Sequence, residues 1–294
     1  MAQQPSSPTP NPSDPHLESP ACRERYALGY SASVHQWMNQ RRAATHASFF
    51  LPHLRPGMSL LDCGCGPGSI TADFAEIVAP GEVIGIDIEP LQVERAQTLA
   101  RERGIANVRF VIGDVYALPF ADAAFDAVFA HATLYHVREP LRVLGEFRRV
   151  LKPGGLVGIR DTDYSMWCME PATPALDEAR RLSLLVAEHD GASPTYARQQ
   201  RRFLVEVGFA RTEATASCVG SGTLERTRIS ARILLTRLRS SSFQQTVLQQ
   251  EWADSEQLDS LCAEVQAWGE RPDAFESLTW RAAIGWVNDK STRL

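Results

Sequence analysis

From residue 59 to residue 161 the sequence alternates short apolar runs with segments of helical periodicity. In the first such segment Ile70, Phe74 and Ile77 recur at the spacing of one helix face. Strands that alternate with helices of this length form a parallel sheet covered on both faces. The apolar runs are residues 60–61, 83–88, 108–112, 127–130 and 156–159.

The first run leads into a glycine-rich turn, Gly64-Cys65-Gly66-Pro67-Gly68, and a helical segment follows. Glycine lets the backbone turn sharply and approach a ligand more closely than a residue with a Cβ. The free amides at the start of the next helix then face that ligand. Because the turn reads G-x-G-x-G and lacks a Walker lysine, it favours neither a dinucleotide nor ATP.

Two later strand ends place carboxylates at the same edge of the expected sheet. Asp87 suits hydrogen bonds from both ribose hydroxyls, or it is a helix N-cap ahead of Pro90. Asp114 suits the exocyclic amine of an adenine. Ligands of open α/β sheets bind outside the carboxyl ends of the strands. Together with the glycine turn, these residues predict an adenosine-containing ligand.

Composition narrows the class of partner. The chain is 44% hydrophobic and 22% charged, as in an ordinary globular protein, with a formal net charge of −5. We therefore expect no nucleic-acid partner, and no apolar run approaches the length of a membrane span. The start of the chain lacks a secretory signal, so we expect a cytoplasmic protein. Its six cysteines are expected to be reduced and to bind no metal.

The motifs of residues 58–161 resemble those of the class I S-adenosylmethionine-dependent methyltransferases, specifically the small-molecule "methyltransferase type 11" or UbiE-like group. The resemblance is carried by LLDCGCGPGSIT, VIGIDIEPLQVERAQ, FVIGDVYALPFADAAFDAVFAHATLYHV and VLKPGGLVGIRD. It implies an α/β fold: a Rossmann-like, doubly wound, mostly parallel seven-stranded sheet with helical lid insertions and a late antiparallel strand. A looser resemblance over residues 27–58 and 163–171 is to relatives in secondary-metabolite pathways.

We expect four parts along the chain. Residues 1–21 are a disordered Pro- and Ser-rich tail, and 22–57 an N-terminal helical cap, with helical spacing over residues 26–54. Residues 58–161 are the cofactor-binding core. Residues 162–294 complete the sheet and carry a helical substrate lid, at about 171–190 and 220–270.

The resemblance implies S-adenosyl-L-methionine as cofactor, with S-adenosyl-L-homocysteine as product, and it assigns binding roles by position. Asp62 and the turn residues Gly64, Cys65, Gly66 and Gly68 are similar to the loop at the methionine end. Asp87 is similar to the ribose anchor, Ile88 to the apolar residue beside the adenine, and Asp114 with Val115 to the adenine-edge pair. Ala130 matches the strand position that meets the methionine amino group. Arg41 resembles the family arginine that pairs with the methionine carboxylate or with substrate.

Methyl transfer requires nucleophile, methyl and sulfur to be aligned, and it needs a general base only when the nucleophile arrives protonated. Residues suited to act as a base or to orient the acceptor follow the fourth and fifth strands: His131, Tyr135, His136, Asp161, Asp163 and Tyr164. A histidine with an unperturbed pKa of about 6.5 suits deprotonation of a phenol. Alternatively, Tyr135 and His136 pack the lid and Asp161 caps a strand end.

Aromatic residues outside the core suit an apolar or aromatic substrate, or they pack beneath the helices. The candidate substrate-binding residues are Tyr26, Tyr30, Trp37 and Trp167. Aromatic faces also stabilise carbocations, and some relatives methylate a prenyl diphosphate and cyclise the product. That chemistry would use Mg and an arginine cluster, for which the sequence offers Arg180, Arg181, Arg198, Arg201 and Arg202. These arginines otherwise form solvated helix faces.

The sequence therefore predicts a methyltransferase for a small, apolar or aromatic molecule of the secondary-metabolite type. One alternative is C-methylation of a farnesyl-type prenyl diphosphate coupled to cyclisation. The other is a regulatory protein that binds the same cofactor without turnover.

Overall fold

The computed structural model describes residues 38–289, and they contain a seven-stranded sheet of order β3-β2-β1-β4-β5-β7-β6. The strands are β1 (Leu60–Cys63), β2 (Val83–Asp87), β3 (Val108–Ile112), β4 (Phe125–His131), β5 (Leu151–Glu170), β6 (Arg211–Ser221) and β7 (Phe275–Trp286). Pairing among β1 to β5 is parallel, and β7 is antiparallel to both β5 and β6. The predicted doubly wound, mostly parallel sheet with a late antiparallel strand is confirmed.

Helices cover both faces of this sheet. They are α1 (Ala43–His46), α2 (Ser69–Val78), α3 (Pro90–Glu102), α4 (Pro140–Val150), α5 (Pro174–His189), α6 (Gln200–Val207), α7 (Leu224–Leu238), α8 (Ser241–Gln249) and α9 (Ser255–Gly269). On β4, Phe129 packs with Phe50 and Phe74, while its neighbour Val128 packs with Phe147 of α4. The side chains of successive residues on β4 thus pack on opposite faces of the sheet. No helix within residues 38–289 is long and apolar enough to cross a bilayer.

Helices α5, α7, α8 and α9 have an apolar core of their own, which includes Leu182, Leu234, Val265 and Trp268. Trp268 also donates a hydrogen bond from Nε1 to the carbonyl oxygen of Glu170, at 2.9 Å. The helical layer is therefore attached at the far end of β5. Most of it, α7 to α9, lies in sequence between β6 and β7.

β5 is longer than the sequence indicates. The apolar run predicts strand over residues 156–159, whereas β5 extends from Leu151 to Glu170. Its second part pairs with β7 beyond an irregularity between Asp163 and Cys168. Partners more than a hundred residues away in sequence supply those hydrogen bonds, so the local sequence pattern does not predict this part of the strand. Tyr164 and Trp167 consequently lie on a strand.

Between residue 40 and β1 the chain is less helical than its spacing predicts. Residues 38 and 39 are helical, and the four-residue α1 and a 3₁₀ turn at Leu51–His53 follow. Arg42 at the N-cap of α1 makes no side-chain capping bond, and Pro52 lacks an amide hydrogen. Phe50, which is fully buried, fixes the segment on the sheet instead. The expected tail and the candidates Tyr26, Tyr30 and Trp37 lie outside the described residues.

Candidate functional site

The carboxyl ends of β1 to β4 open onto one cleft, which has about 1060 Å³ of empty space including its mouth. Most residues predicted to bind cofactor line it: Arg41, Asp62, Gly64, Cys65, Gly66, Asp87, Ile88, Asp114 and Val115. Gly68 and Ala130 are outside that lining. Ala130 is fully buried within the sheet, and Gly68 is the N-cap of α2.

The glycine turn passes too close to its neighbours for side chains. Gly64 and Gly68 have φ values of +71° and +81°, a region that disfavours residues with a Cβ. A Cβ on Gly64 would overlap Oγ1 of Thr133, and a Cβ on Gly68 would lie 2.7 Å from that of Ala96 on α3. The first contact joins β1 to the end of β4, and the second allows α2 and α3 to approach.

Asp87 ties the glycine turn to the end of β2. Its Oδ2 accepts a hydrogen bond from the amide of Gly66 at 2.8 Å, and its Oδ1 accepts one from the amide of Glu89 at 3.0 Å. Burial raises the pKa of Asp87, an effect these amides oppose. The N-cap of α3 is Glu89, so the alternative reading of Asp87 as that cap does not hold.

Asp62 lies at the other side of the turn and is 3% exposed. Its Oδ2 accepts a 2.6 Å hydrogen bond from the hydroxyl of Thr71, a partner that sequence reasoning did not single out. Burial raises the pKa of Asp62 to about 7; the Thr71 bond opposes that shift and the charge of Asp87 adds to it. The base of the cleft therefore carries less negative charge than two ordinary aspartates.

Gln92, which sequence reasoning missed, also lines the cleft. It is 1% exposed, and neither Oε1 nor Nε2 has a hydrogen-bond partner among residues 38–289. A buried amide of this kind is normally satisfied. Since α3 begins at Pro90, Gln92 faces the sheet edge, whereas Leu91 is 42% exposed. That helix start is the signal that could have identified it.

These features fit an adenosine ligand. The glycine turn has no room for side chains at the point where we expect the protein backbone to contact the ligand. The Gln92 amide offers one acceptor and one donor to a pair of hydroxyls on the ligand. Asp114 is exposed in the cleft at the end of β3, with Oδ1 accepting from the amide of Tyr116 at 2.9 Å. The carboxylates and the amide thus lie along one edge of the sheet.

His131 and His136 line the same cleft. Burial, followed by the charge of Arg41, holds the pKa of His131 well below its usual value. Burial, with the charges of Arg237 and Arg41, lowers the pKa of His136 to about 3. Neither imidazole has the unperturbed pKa expected from the sequence, and both are neutral at pH 7.

A row of aromatic rings leads away from His136. Its ring centroid is 4.7 Å from that of Tyr135, which in turn is 4.9 Å from Tyr164. Trp167 follows at 6.2 Å from Tyr164, and its Nε1 donates to Oε1 of Glu276 at 2.8 Å. The row connects the cleft to the helical layer without lining the cleft itself.

The two aspartates of β5 are used in the scaffold. Oδ1 of Asp161 accepts from the amide of Tyr135 at 3.2 Å, and its Oδ2 accepts from Nε2 of Gln200 at 3.1 Å. Asp163 accepts from Arg198 at 2.9 Å and from Arg281 at 2.8 Å. These contacts fix the segments around the cleft, and neither aspartate lines it.

The arginines considered for a diphosphate are dispersed. Arg180 and Arg181 pair with acids on their own helix, Arg198 with Asp163, Arg201 with Thr212, and Arg202 lies over Phe203. None of them lines the cleft. The described residues therefore show no arginine cluster of the kind that alternative needs.

Comparisons with known proteins agree with this geometry. The family described as "Methyltransferase domain" matches residues 54–200. An uncharacterized methyltransferase of Schizosaccharomyces pombe is 32% identical over 203 residues, which cover 66% of this chain and 71% of that protein. A sterol 24-C-methyltransferase of Gibberella zeae is 33% identical over 181 residues, 58% of this chain and 46% of that protein. The crystal structure of YcgJ from Bacillus subtilis has the same fold, with a TM-score of 0.56 and 21% identity over 84% of this chain and 99% of its own.

Proposed function

We infer that the chain, which belongs to the class I S-adenosylmethionine-dependent methyltransferases, transfers a methyl group to a small apolar or aromatic molecule of the secondary-metabolite type. The cofactor supplies an electrophilic methyl group on a sulfonium and leaves as S-adenosyl-L-homocysteine. The protein's part is to bind, align and exclude water.

The residues expected to hold the adenosine are the glycine turn, Asp87 and Gln92. The turn brings its backbone to the cleft because Gly64 and Gly68 have no side chains. Asp87 is fixed by two amides, so its carboxylate is oriented before a ligand arrives. Gln92 gains partners for its buried amide only when the cleft is filled.

Arg41 and His131 lie together at the other part of the cleft, with Nη1 of Arg41 3.5 Å from Nδ1 of His131. A guanidinium there suits the methionine carboxylate. Because His131 and His136 are neutral, neither repels a sulfonium cation. We expect both histidines to orient bound groups by hydrogen bonding rather than to take a proton.

The observation that supports an apolar or aromatic acceptor is the row of rings beside the cleft, formed by Tyr135, Tyr164 and Trp167. Aromatic side chains provide large apolar surfaces that orient flat or hydrophobic molecules. The similarity to a sterol methyltransferase supports the same class. An acceptor bound along this row would lie between the cofactor cleft and the helical layer.

The test combines the purified full chain with S-adenosyl-L-methionine and a panel of phenols, aromatic acids, amines, prenyl diphosphates and sterols. Mass spectrometry then detects the gain of one methyl group. We expect aromatic or apolar members to be methylated, and Tyr164→Ala to raise the KM for the acceptor while cofactor affinity is retained. Methylation confined to small hydrophilic amines would refute the proposal.

A further inference from the structure

A buried guanidinium lies on the sheet face that carries His131. Arg160 of β5 is in register with His131 of β4 and is 7% exposed. Its Nη1 and Nη2 donate to the carbonyl of His46 and the hydroxyl of Ser217, both at 3.3 Å. No carboxylate within residues 38–289 pairs with it, although a buried charge is costly without a counter-ion.

Trp280 of β7 connects Arg160 to the cleft. Cζ of Arg160 lies 4.7 Å from the centroid of the Trp280 ring, and the His131 ring stacks on Trp280 at 5.0 Å. His131 itself lines the cleft. The guanidinium is therefore separated from the cofactor site by a single layer of rings, on the side where Arg41 also lies.

His131 contributes a donor without an acceptor. A guanidinium only donates, so the 3.5 Å contact with Arg41 makes Nδ1 of His131 the acceptor and leaves the proton on Nε2. This Nε2 atom is buried, and it has no hydrogen-bond partner among the described residues. A donor without an acceptor and a guanidinium without a counter-ion thus lie in a region of residues 38–289 that supplies no anion.

We propose that Nε2 of His131 donates a hydrogen bond to an ionised oxygen of the methyl acceptor, a carboxylate or a phenolate, and that the charge of Arg160 stabilises this anion across the Trp280 ring. This inference rests on the proposed function and narrows its acceptor to an organic anion. An acceptor that arrives ionised needs no general base, which agrees with the neutral state of His131. The methionine carboxylate of the cofactor has the same chemistry, so the experiment must distinguish the two sources.

The experiment is calorimetric titration of the full chain, saturated with S-adenosyl-L-homocysteine, with benzoate and with its neutral isostere benzamide. We expect benzoate to bind and benzamide to bind at least about tenfold more weakly. Arg160→Met should weaken benzoate binding by about tenfold or more and change the affinity for S-adenosyl-L-homocysteine by less than about twofold. Equal binding of the two probes, or unchanged benzoate binding in the variant, overturns the proposal. A comparable loss of S-adenosyl-L-homocysteine affinity does so as well, because it assigns Arg160 to the cofactor.

A matched control is Arg211→Met. Arg211 also stacks on a tryptophan, with its Cζ 3.7 Å from the ring centroid of Trp286, but it is exposed and does not line the cleft. We expect its removal to leave benzoate binding unchanged. Parallel losses in both variants would show a general effect of the substitution and would also refute the subsite.

Unfolding of the ligand-free protein separates binding from structure. If Arg160 has no counter-ion until the acceptor binds, Arg160→Met should leave the midpoint of thermal unfolding unchanged or raise it. The reason is that an apolar side chain replaces a buried charge without a counter-ion. A lower midpoint would show a structural role and overturn the proposal. Benzoate binding without any aromatic or apolar product in the panel refutes only the proposed function. Methylation of neutral apolar acceptors alone refutes only this subsite.

Discussion

Gly64 and Gly104 both have positive φ values, +71° and +64°, but only Gly64 lies against another segment. A Cβ on Gly104 meets nothing within 4 Å, so Gly104→Ala carries only the backbone strain, about 1 kcal/mol. Gly64→Ala must in addition displace Thr133, whose hydroxyl donates to the carbonyl of Cys63 at 3.1 Å. We expect a larger loss of stability in urea denaturation and, by calorimetry, a weaker affinity for S-adenosyl-L-methionine. Equal stability losses and normal cofactor binding in both variants would contradict this reading of the turn.

We expect the Gln92 side chain to lower the stability of the ligand-free protein and to strengthen cofactor binding. Its buried amide lacks partners in the ligand-free protein, so Gln92→Leu is expected to raise the free energy of unfolding by about 1 kcal/mol. The same change removes the groups that we assign to the ribose and should weaken cofactor binding by about tenfold. Thermal unfolding with and without S-adenosyl-L-homocysteine measures both effects. A variant that is less stable and binds normally would show that the amide has a structural role.

At the scale of elements, one carboxyl connects the helical layer to the sheet. Glu276 of β7 accepts from Nε1 of Trp167 on β5 and from the hydroxyl of Ser230 on α7. Burial raises the pKa of Glu276, and these two bonds oppose the shift. The carboxyl therefore joins three elements that are far apart in sequence.

We expect Glu276→Ala to loosen that attachment, because two partly buried donors lose their acceptor. Limited proteolysis should then cut more rapidly within residues 222–272, while cofactor affinity stays unchanged. Glu270→Ala is the control: Glu270 pairs with Arg228 of α7, but both side chains are about half exposed, and such pairs contribute little. Similar cleavage of both variants would argue against a specific role for Glu276.

The elements around the cleft were predictable because their signals are local. Apolar runs, a glycine turn and carboxylates at strand ends lie within a few residues of one another, and the parallel sheet follows from their alternation. The Arg160–Trp280–His131 cluster could not be found this way. Its members lie on β4, β5 and β7, and they meet because β7, which follows β6 and helices α7 to α9 along the chain, inserts beside β5. The pKa values of the histidines likewise depend on Arg41 and on burial, which sequence periodicity does not report.

At the scale of the whole molecule, two buried carboxyls couple folding to pH. Burial raises the pKa of both Asp62 and Asp161 to about 7, above the value of about 3.9 expected in an unfolded chain. The folded state therefore holds these protons more tightly. Their contribution to stability is complete below about pH 4 and is lost as the pH rises through about 7.

Asp161→Asn isolates one of these contributions at a residue that does not line the cleft. The asparagine oxygen can still accept from the amide of Tyr135, and a turned Gln200 amide can accept from the new NH₂ group through Oε1, which has no partner among the described residues. Between pH 5 and pH 7 the wild type should lose about 2 kcal/mol of unfolding free energy through Asp161, and the variant should lose that much less. Urea denaturation at several pH values measures both slopes.

Asp163→Asn is the control, because the pKa of Asp163 is shifted in the opposite direction to that of Asp161. Burial raises the pKa of Asp163, but hydrogen bonds from Ser165, Arg198 and Arg281 outweigh it and hold the pKa below its usual value. Its contribution is therefore present above about pH 4 and is lost only as the pH falls further, so this variant should keep the wild-type slope between pH 5 and pH 7. If Asp161→Asn also kept that slope, the carboxyl of Asp161 would have to be ionised throughout the range. Burial in the sheet would then not govern how stability depends on pH.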